Sequence, residues 1–126
     1  MGDRLAVLLA ARDEAAFEKL LDAGRRVVTK IREMAVPVVA SVNGPAAGGG
    51  LNLALACDIR IASDRATFGQ TFTRIGLAPD WGGLHFLPRL VGEAKAIELM
   101  MTGEILDAAE ALRIGLVNRV VPHDTL

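Results

Sequence analysis

The sequence predicts an α/β fold, on three observations. Short β-branched or alternating runs (Pro37–Val42, Asp58–Ala62, Leu116–Val121) are interleaved with segments of helical spacing, the alternation from which α/β domains are built. The first of these runs has no polar alternation, as in a parallel strand covered on both faces. Between it and the next apolar segment stands the triplet Gly48-Gly49-Gly50, where a strand hands over to a helix.

The elements follow in order. A faint leader-like pattern, Arg4 followed by apolar Leu5–Ala11, is interrupted at once by Arg12, Asp13 and Glu14 and reads as the start of structure. A helix is expected from about Glu14 to Met34, because Phe17, Leu20, Leu21, Gly24, Val27, Val28, Ile31 and Met34 fall on one stripe. Asp22 and Arg26 are spaced to pair on its outer face. Pro37 stops the helix and pushes Val36 toward extended backbone. Asn43-Gly44-Pro45 signals a turn. Leu51–Ala56 reads as a buried helix, Asp58–Ala62 as a second strand and Ala66–Phe68 as a short third.

Gly76–Gly83, with Pro79, Asp80 and Gly82, reads as a loop. Helical segments are expected near Leu84–Leu90 and Glu93–Met101. Another begins at Asp107, a side chain that caps, with Glu110 placed to complete a capping box. Gly115 ends it, and Leu116–Val121 is the last strand. The 126 residues suit one domain with one core, and 52% of them are hydrophobic but only 4% aromatic.

Fourteen basic and fifteen acidic side chains give a formal charge of -1, which offers no electrostatic case for nucleic acid or an anionic membrane. Arg25, Arg26, Lys30 and Arg32 share their helix with Glu18, Asp22 and Glu33, a solvated mixed face. No apolar stretch approaches spanning length, so a cytoplasmic protein is expected. Cys57 is the single cysteine. It excludes an internal disulfide, no Cys/His spacing points to a metal, and the residue reads as a small buried hydrophobe.

The glycine triplet has two readings. The amides at the start of the following helix lack intrahelical partners and sit at its positive end, so the loop suits an anion, bound or formed during reaction. Equally, the glycines allow tight strand–helix packing. The Lys and Ser/Thr of a phosphate loop are absent, and the dinucleotide spacing does not fit.

Taken together, several stretches resemble the crotonase (enoyl-CoA hydratase/isomerase) superfamily. They are Pro37–Gly50, Leu53-Ala-Leu-Ala-Cys-Asp-Ile-Arg-Ile-Ala-Ser63, Ala66-Thr-Phe-Gly-Gln70, Ile75-Gly-Leu-Ala-Pro79 with Gly82-Gly83, Leu87-Pro-Arg-Leu-Val-Gly92, Leu99–Gly103 and Ala108–Val121. The resemblance covers about residues 14 to 126. It implies a ββα spiral core and an acyl-CoA thioester substrate, with no cofactor besides the CoA that the substrate carries. It also implies a thioester enolate held by two backbone N–H groups, one of them that of Gly49. Such a donor contributes ~2.7–4 kcal/mol to the transition state. Ala47, Gly48 and Gly50 would line the substrate beside it.

The departures narrow the chemistry. Hydratases of the family use two glutamates, and at those positions this chain has Asn52 and Phe72, neither of which shuttles protons at neutral pH. Asp80, in Leu77-Ala-Pro-Asp-Trp-Gly-Gly83, matches the single acidic residue of enoyl-CoA isomerases, including the 1,2-epoxyphenylacetyl-CoA type. Read alone, Asp80 beside Pro79 is a turn former; within the resemblance it is the proton carrier. Phe72, Pro79, Trp81 and Gly82 would form the acyl side of the pocket, with Phe72, Trp81 and Phe86 excluding water. His85 reads as a surface or packing residue, and His123 as solvated. The resemblance further implies that residues 1–126 are one partial domain, cut short at both ends. The Ala-Gly-x-Asp segment that supplies the second oxyanion donor and the C-terminal helices would lie outside it. It also implies a homo-oligomer, a trimer or hexamer. A non-catalytic assembly module is the alternative.

Overall fold

The computed structural model describes residues 13–126, and the apolar run Leu5–Ala11 lies outside them. Helix α1 (Glu14–Glu33) is capped by the Asp13 side chain, which accepts from the Ala16 N–H. Strand β1 (Val39–Val42), the short β2 (Ala46–Ala47) and helix α2 (Gly49–Ala56) follow. Then come β3 (Ile59–Ser63), β4 (Thr67–Gly69) and a 3-10 turn at Thr71–Ile75. Helices α3 (Gly83–Val91) and α4 (Glu93–Thr102), β5 (Ile105–Asp107), α5 (Ala108–Arg113), β6 (Arg119–Val121) and a last 3-10 turn (His123–Thr125) complete the chain.

Among the described residues the strands form two small sheets, β1-β3-β6 and β2-β4-β5. The first is parallel, with Val39 opposite Ile59 and Ile61 opposite Arg119. The second pairs β2 with β4 in parallel and β4 with β5 antiparallel. Neither β2 nor β5 is expected from the sequence. Two or three residues are too few to show an alternation, and their pairing partners lie more than twenty residues away.

The core is mostly aliphatic, with Leu51, Leu55, Leu87, Leu99 and Leu116 gathered around the ring of Phe68. Helix α2 runs through it with Leu51, Asn52, Ala54, Leu55 and Ala56 all buried, as expected of a helix apolar on every side. Two arginines close its C-terminal end. Arg32 donates to the Ala56 carbonyl at 3.2 Å and Arg60 to that of Cys57 at 2.8 Å, so cations meet the negative end of the helix dipole. Arg60 also donates to the Leu116 carbonyl at 2.9 Å, and the Asn118 side chain accepts from the Arg60 N–H at 2.9 Å. One buried guanidinium thus ties α2, β3 and the approach to β6 together.

Several expectations change. Strand β1 is parallel but not covered on both faces: Val39 and Ser41 are exposed, and among the described residues no strand pairs with its outer edge. On α1 only Gly24 and Val28 are fully buried, and Val27 and Met34 face outward. Asp22 pairs with Arg25 rather than Arg26, because the i,i+3 guanidinium reaches it first, at 3.3 Å. The Asp107 cap forms, accepting from the Glu110 N–H at 2.8 Å. The return half of the box does not, because the Glu110 carboxylate is held by Arg113 at 2.6 Å. His123 is pinned rather than solvated: Nδ1 lies 2.9 Å from the Ser63 hydroxyl, and the His123 backbone N–H donates to the Asp64 carboxylate.

Candidate active site

Three segments converge on the first half of α2. The first is the glycine loop. Gly48 has φ 52° and ψ -124°, a backbone that side chains with a Cβ avoid. A Cβ there would lie 3.5 Å from Thr71 Oγ1 and 3.7 Å from the Phe72 ring, an ordinary contact, so it is the dihedral and not crowding that requires glycine. The Gly48 N–H donates to the Gly69 carbonyl at 2.9 Å, which fastens the loop to β4. Gly49 is then the first helical residue, and its N–H has no acceptor within the helix. A Cβ on Gly50 would meet nothing, so that side of the loop is open. Ala47, just before, is exposed on β2 opposite Gly69.

The second segment leaves β4. Gln70 is 1% exposed and Asn52 is wholly buried. Gln70 Nε2 donates to Asn52 Oδ1 at 2.7 Å, and Asn52 Nδ2 donates to the Asp80 carbonyl at 2.8 Å. Phe72 is buried, its ring edge toward Gly48. The two positions where the resemblance implies glutamates thus hold an amide committed to two neighbours and an apolar ring.

The third segment carries Asp80. Its carbonyl also accepts from the Gly83 N–H at 2.8 Å, and Gly83 is packed so closely on Asn52 that an added Cβ would come within 2.5 Å of the amide oxygen. The carboxyl is partly buried, and Oδ1 has no hydrogen-bond partner among the described residues. Burial raises the Asp80 pKa above the ordinary carboxylate value, partly opposed by its own backbone N–H and the Asn52 amide. Desolvation of this kind disfavours the charged form and moves a carboxylate toward the range useful for proton transfer.

Trp81, next in sequence, has φ 43° and is the one non-glycine residue at positive φ among those described. Such a backbone costs about 1–3 kcal/mol and persists where the surroundings enforce it. Here the indole Nε1–H donates to the Leu21 carbonyl of α1 at 3.1 Å, and the ring occupies the notch at Gly24. Of the three rings expected to exclude water, Phe72 lies against the glycine loop. Trp81 and Phe86 engage α1, the latter beneath the Arg32 guanidinium at 5.8 Å. Gly82, at φ 86°, passes so near Phe86 that a Cβ would meet its ring, and Pro79 is half-buried at the loop's entry. His85 is exposed, its ring edge-on to Phe86 at 5.1 Å. Cys57 lies at the far end of α2, donating to the Leu53 carbonyl, and burial raises its thiol. No three His, Cys, Asp or Glu side chains among the described residues are placed to share a metal ion.

The structure therefore brings Gly48, Gly49, Phe72 and Asp80 around one end of α2. Sequence reasoning missed Gln70, and treated Asn52 only as a lost glutamate. The available signal was an amide inside an otherwise apolar helix, since buried polar groups are held by partners.

Residues 6–126 match the family model described as enoyl-CoA hydratase/isomerase. The chain is 48% identical over 118 residues to a crotonyl-CoA hydratase of Syntrophomonas wolfei, covering 94% of this chain and 44% of that protein. It superposes on the crystal structure of an enoyl-CoA hydratase from Bacillus anthracis with a TM-score of 0.86 at 40% identity, over 88% of this chain and 43% of the other. An enoyl-CoA hydratase/isomerase from Cupriavidus metallidurans gives 0.84 at 41% identity, over 94% and 47%. The chain belongs to the enoyl-CoA hydratase/isomerase family, and it spans less than half the length of each of these relatives.

Proposed function

We propose that the chain carries the oxyanion loop and the single proton carrier of an acyl-CoA double-bond isomerase. The observation that bears this is Asp80: a partly buried carboxylate with an unpartnered oxygen beside α2, while the two positions where the family resemblance places glutamates hold Asn52 of α2 and Phe72 of the 3-10 turn. In a 3-enoyl thioester the Asp80 carboxylate takes a proton from C2. The C2–H electron pair moves into the conjugated dienolate, and the Gly49 N–H donates to the thioester oxygen as charge develops there. Asp80 then returns the same proton at C4, leaving the 2-enoyl thioester. The reaction consumes no water and needs no cofactor, CoA entering with the substrate. The proposal includes the acyl-facing roles of Ala47, Gly48, Gly50, Phe72, Pro79 and Gly82, a cytoplasmic location, and assembly as a homo-oligomer; the Trp81 indole, seated against Leu21 and Gly24 of α1, is left out of the acyl face.

Conversion of 3-enoyl-CoA to 2-enoyl-CoA is the test. Asp80→Asn should lower it at least ~10²-fold, the scale of a lost general base, while calorimetric titration shows acyl-CoA still bound. Unchanged turnover in that variant removes Asp80 from the chemistry. The relatives carry hydratase names, so water addition to 2-enoyl-CoA is measured beside it; a hydration rate matching isomerisation would replace this reading. The β1 edge, unpaired among the described residues, favours a second reading, an assembly module without turnover. It predicts that neither acyl-CoA nor free CoA binds the folded chain.

A further inference from the structure

We propose that Trp81 and the Gly24 notch of α1 form a latch that positions Asp80. The inference rests on the reading of Asp80 as proton carrier, and makes Trp81 a positioning residue for it. Two locally unfavourable features meet at one contact. Trp81 holds the only positive φ of a non-glycine residue among those described, and Gly24 is a glycine in the middle of a twenty-residue helix, where glycine weakens the helix. Neither follows from its own segment. Together they are explained by the indole, which fills the space a side chain at Gly24 would take: a Cβ there would stand 1.9 Å from Trp81 Cε2. The Nε1–H to Leu21 carbonyl bond, at 3.1 Å, fixes the ring in that notch.

The peptide joining Asp80 to Trp81 is held from the other side as well. Its carbonyl accepts from Asn52 Nδ2 and from the Gly83 N–H, both at 2.8 Å. The turn is thus clamped between α1 and α2, with the indole drawn to α1 and the Asp80 carbonyl to α2. Backbone strain of this kind collects where a functional group must be held in place, and the group beside it is the Asp80 carboxyl with its unpartnered oxygen. If the latch is released, Trp81 relaxes to an ordinary backbone and the Asp80 carboxyl turns toward water.

The chain's single tryptophan makes its emission a direct report on the latch. The carboxyl carbon signal of Asp80, followed by NMR against pH in the full chain, reports on burial without any turnover. Gly24→Ala drives a methyl into the ring. It should shift the tryptophan emission to the red and lower the Asp80 midpoint toward that of a solvated carboxylate. Trp81→Gly, which removes both ring and strain, should lower it as far. Trp81→Phe, which keeps a ring in the notch, should retain most of the raised midpoint. A raised Asp80 midpoint that survives both Gly24→Ala and Trp81→Gly in folded protein overturns the latch. So does an ordinary midpoint in the unaltered chain, or loss of folding in both variants, which would make the contact a determinant of the fold alone. A midpoint that moves as expected in a chain without isomerase activity upholds the latch and refutes the proposed reaction.

Discussion

At the scale of single residues, the Asp80 carboxyl ties function against stability. Its folded-state pKa is raised by burial, so the native state holds the proton more tightly than the unfolded chain. The native state is then favoured most at pH below the unfolded value, and that advantage is lost as pH rises through the raised folded value. Once ionised, the partly buried carboxylate disfavours the fold. Asp80→Asn, which removes the charge, should therefore raise stability at pH 7, and the gain should shrink on acidification. Urea unfolding at several pH values measures it, and a gain that grows toward acid contradicts the sign. The acid limb of turnover should lie above the ordinary Asp range, near 3.9, because only the ionised carboxylate takes the proton. Asn52 is the opposite case, a buried side chain whose amide is satisfied at both ends. Asn52→Leu leaves Gln70 Nε2 without its acceptor and takes one donor from the Asp80 carbonyl. It should lower stability by about 2–3 kcal/mol.

At the scale of elements, Arg60 and Asp107 test how the pieces are joined. Arg60→Met keeps the stem of the side chain but strips partners from the Cys57 and Leu116 carbonyls. With buried acceptors abandoned, we expect a loss of about 3 kcal/mol in denaturant unfolding. Asp107→Ala removes the α5 cap and should lower stability by about 1 kcal/mol, whereas Glu110→Ala should leave it nearly unchanged, since its carboxylate serves only the exposed Arg113 pair. Elements whose cause is local were legible in the sequence: α1 from its stripe and the stop at Pro37, α2 from its apolar run after the glycines, α5 from its cap. Elements whose cause is distant were not. Strands β2 and β5 exist because β4 lies between them. The placing of Gly49 and Asp80 at one site came from the family resemblance rather than from the residues alone. The Gln70–Asn52–Asp80 chain joins positions 18 and 28 residues apart, and the backbone of Trp81 is set by a glycine on another helix.

At the scale of the whole molecule, the described residues leave one side of the β1-β3-β6 sheet unfinished. Strand β1 is its edge, and the segment around it exposes Met34 by 53%, Val36 by 58% and Val39 by 51%. A cleft of about 330 Å³ opens alongside, lined by Val27 and Ile31 of α1, Ala40 and Val42 of β1, and Leu53 and Ala54 of α2. An unpaired strand edge offers a row of free N–H and C=O groups to another chain, and apolar neighbours add a driving force. The 126-residue chain in solution should therefore self-associate through this edge. A lysine on an edge strand opposes such pairing because its charge would have to be buried against the incoming strand. Light scattering after size exclusion should give a mass above that of one chain, rising with concentration. Val39→Lys should shift it toward the monomer without changing the far-ultraviolet dichroism, because Val39 contributes little to the core. If the unaltered chain stays monomeric at every concentration, the edge is protected and the self-association expected here does not occur. If Val39→Lys leaves the association intact, the copies meet through a different face.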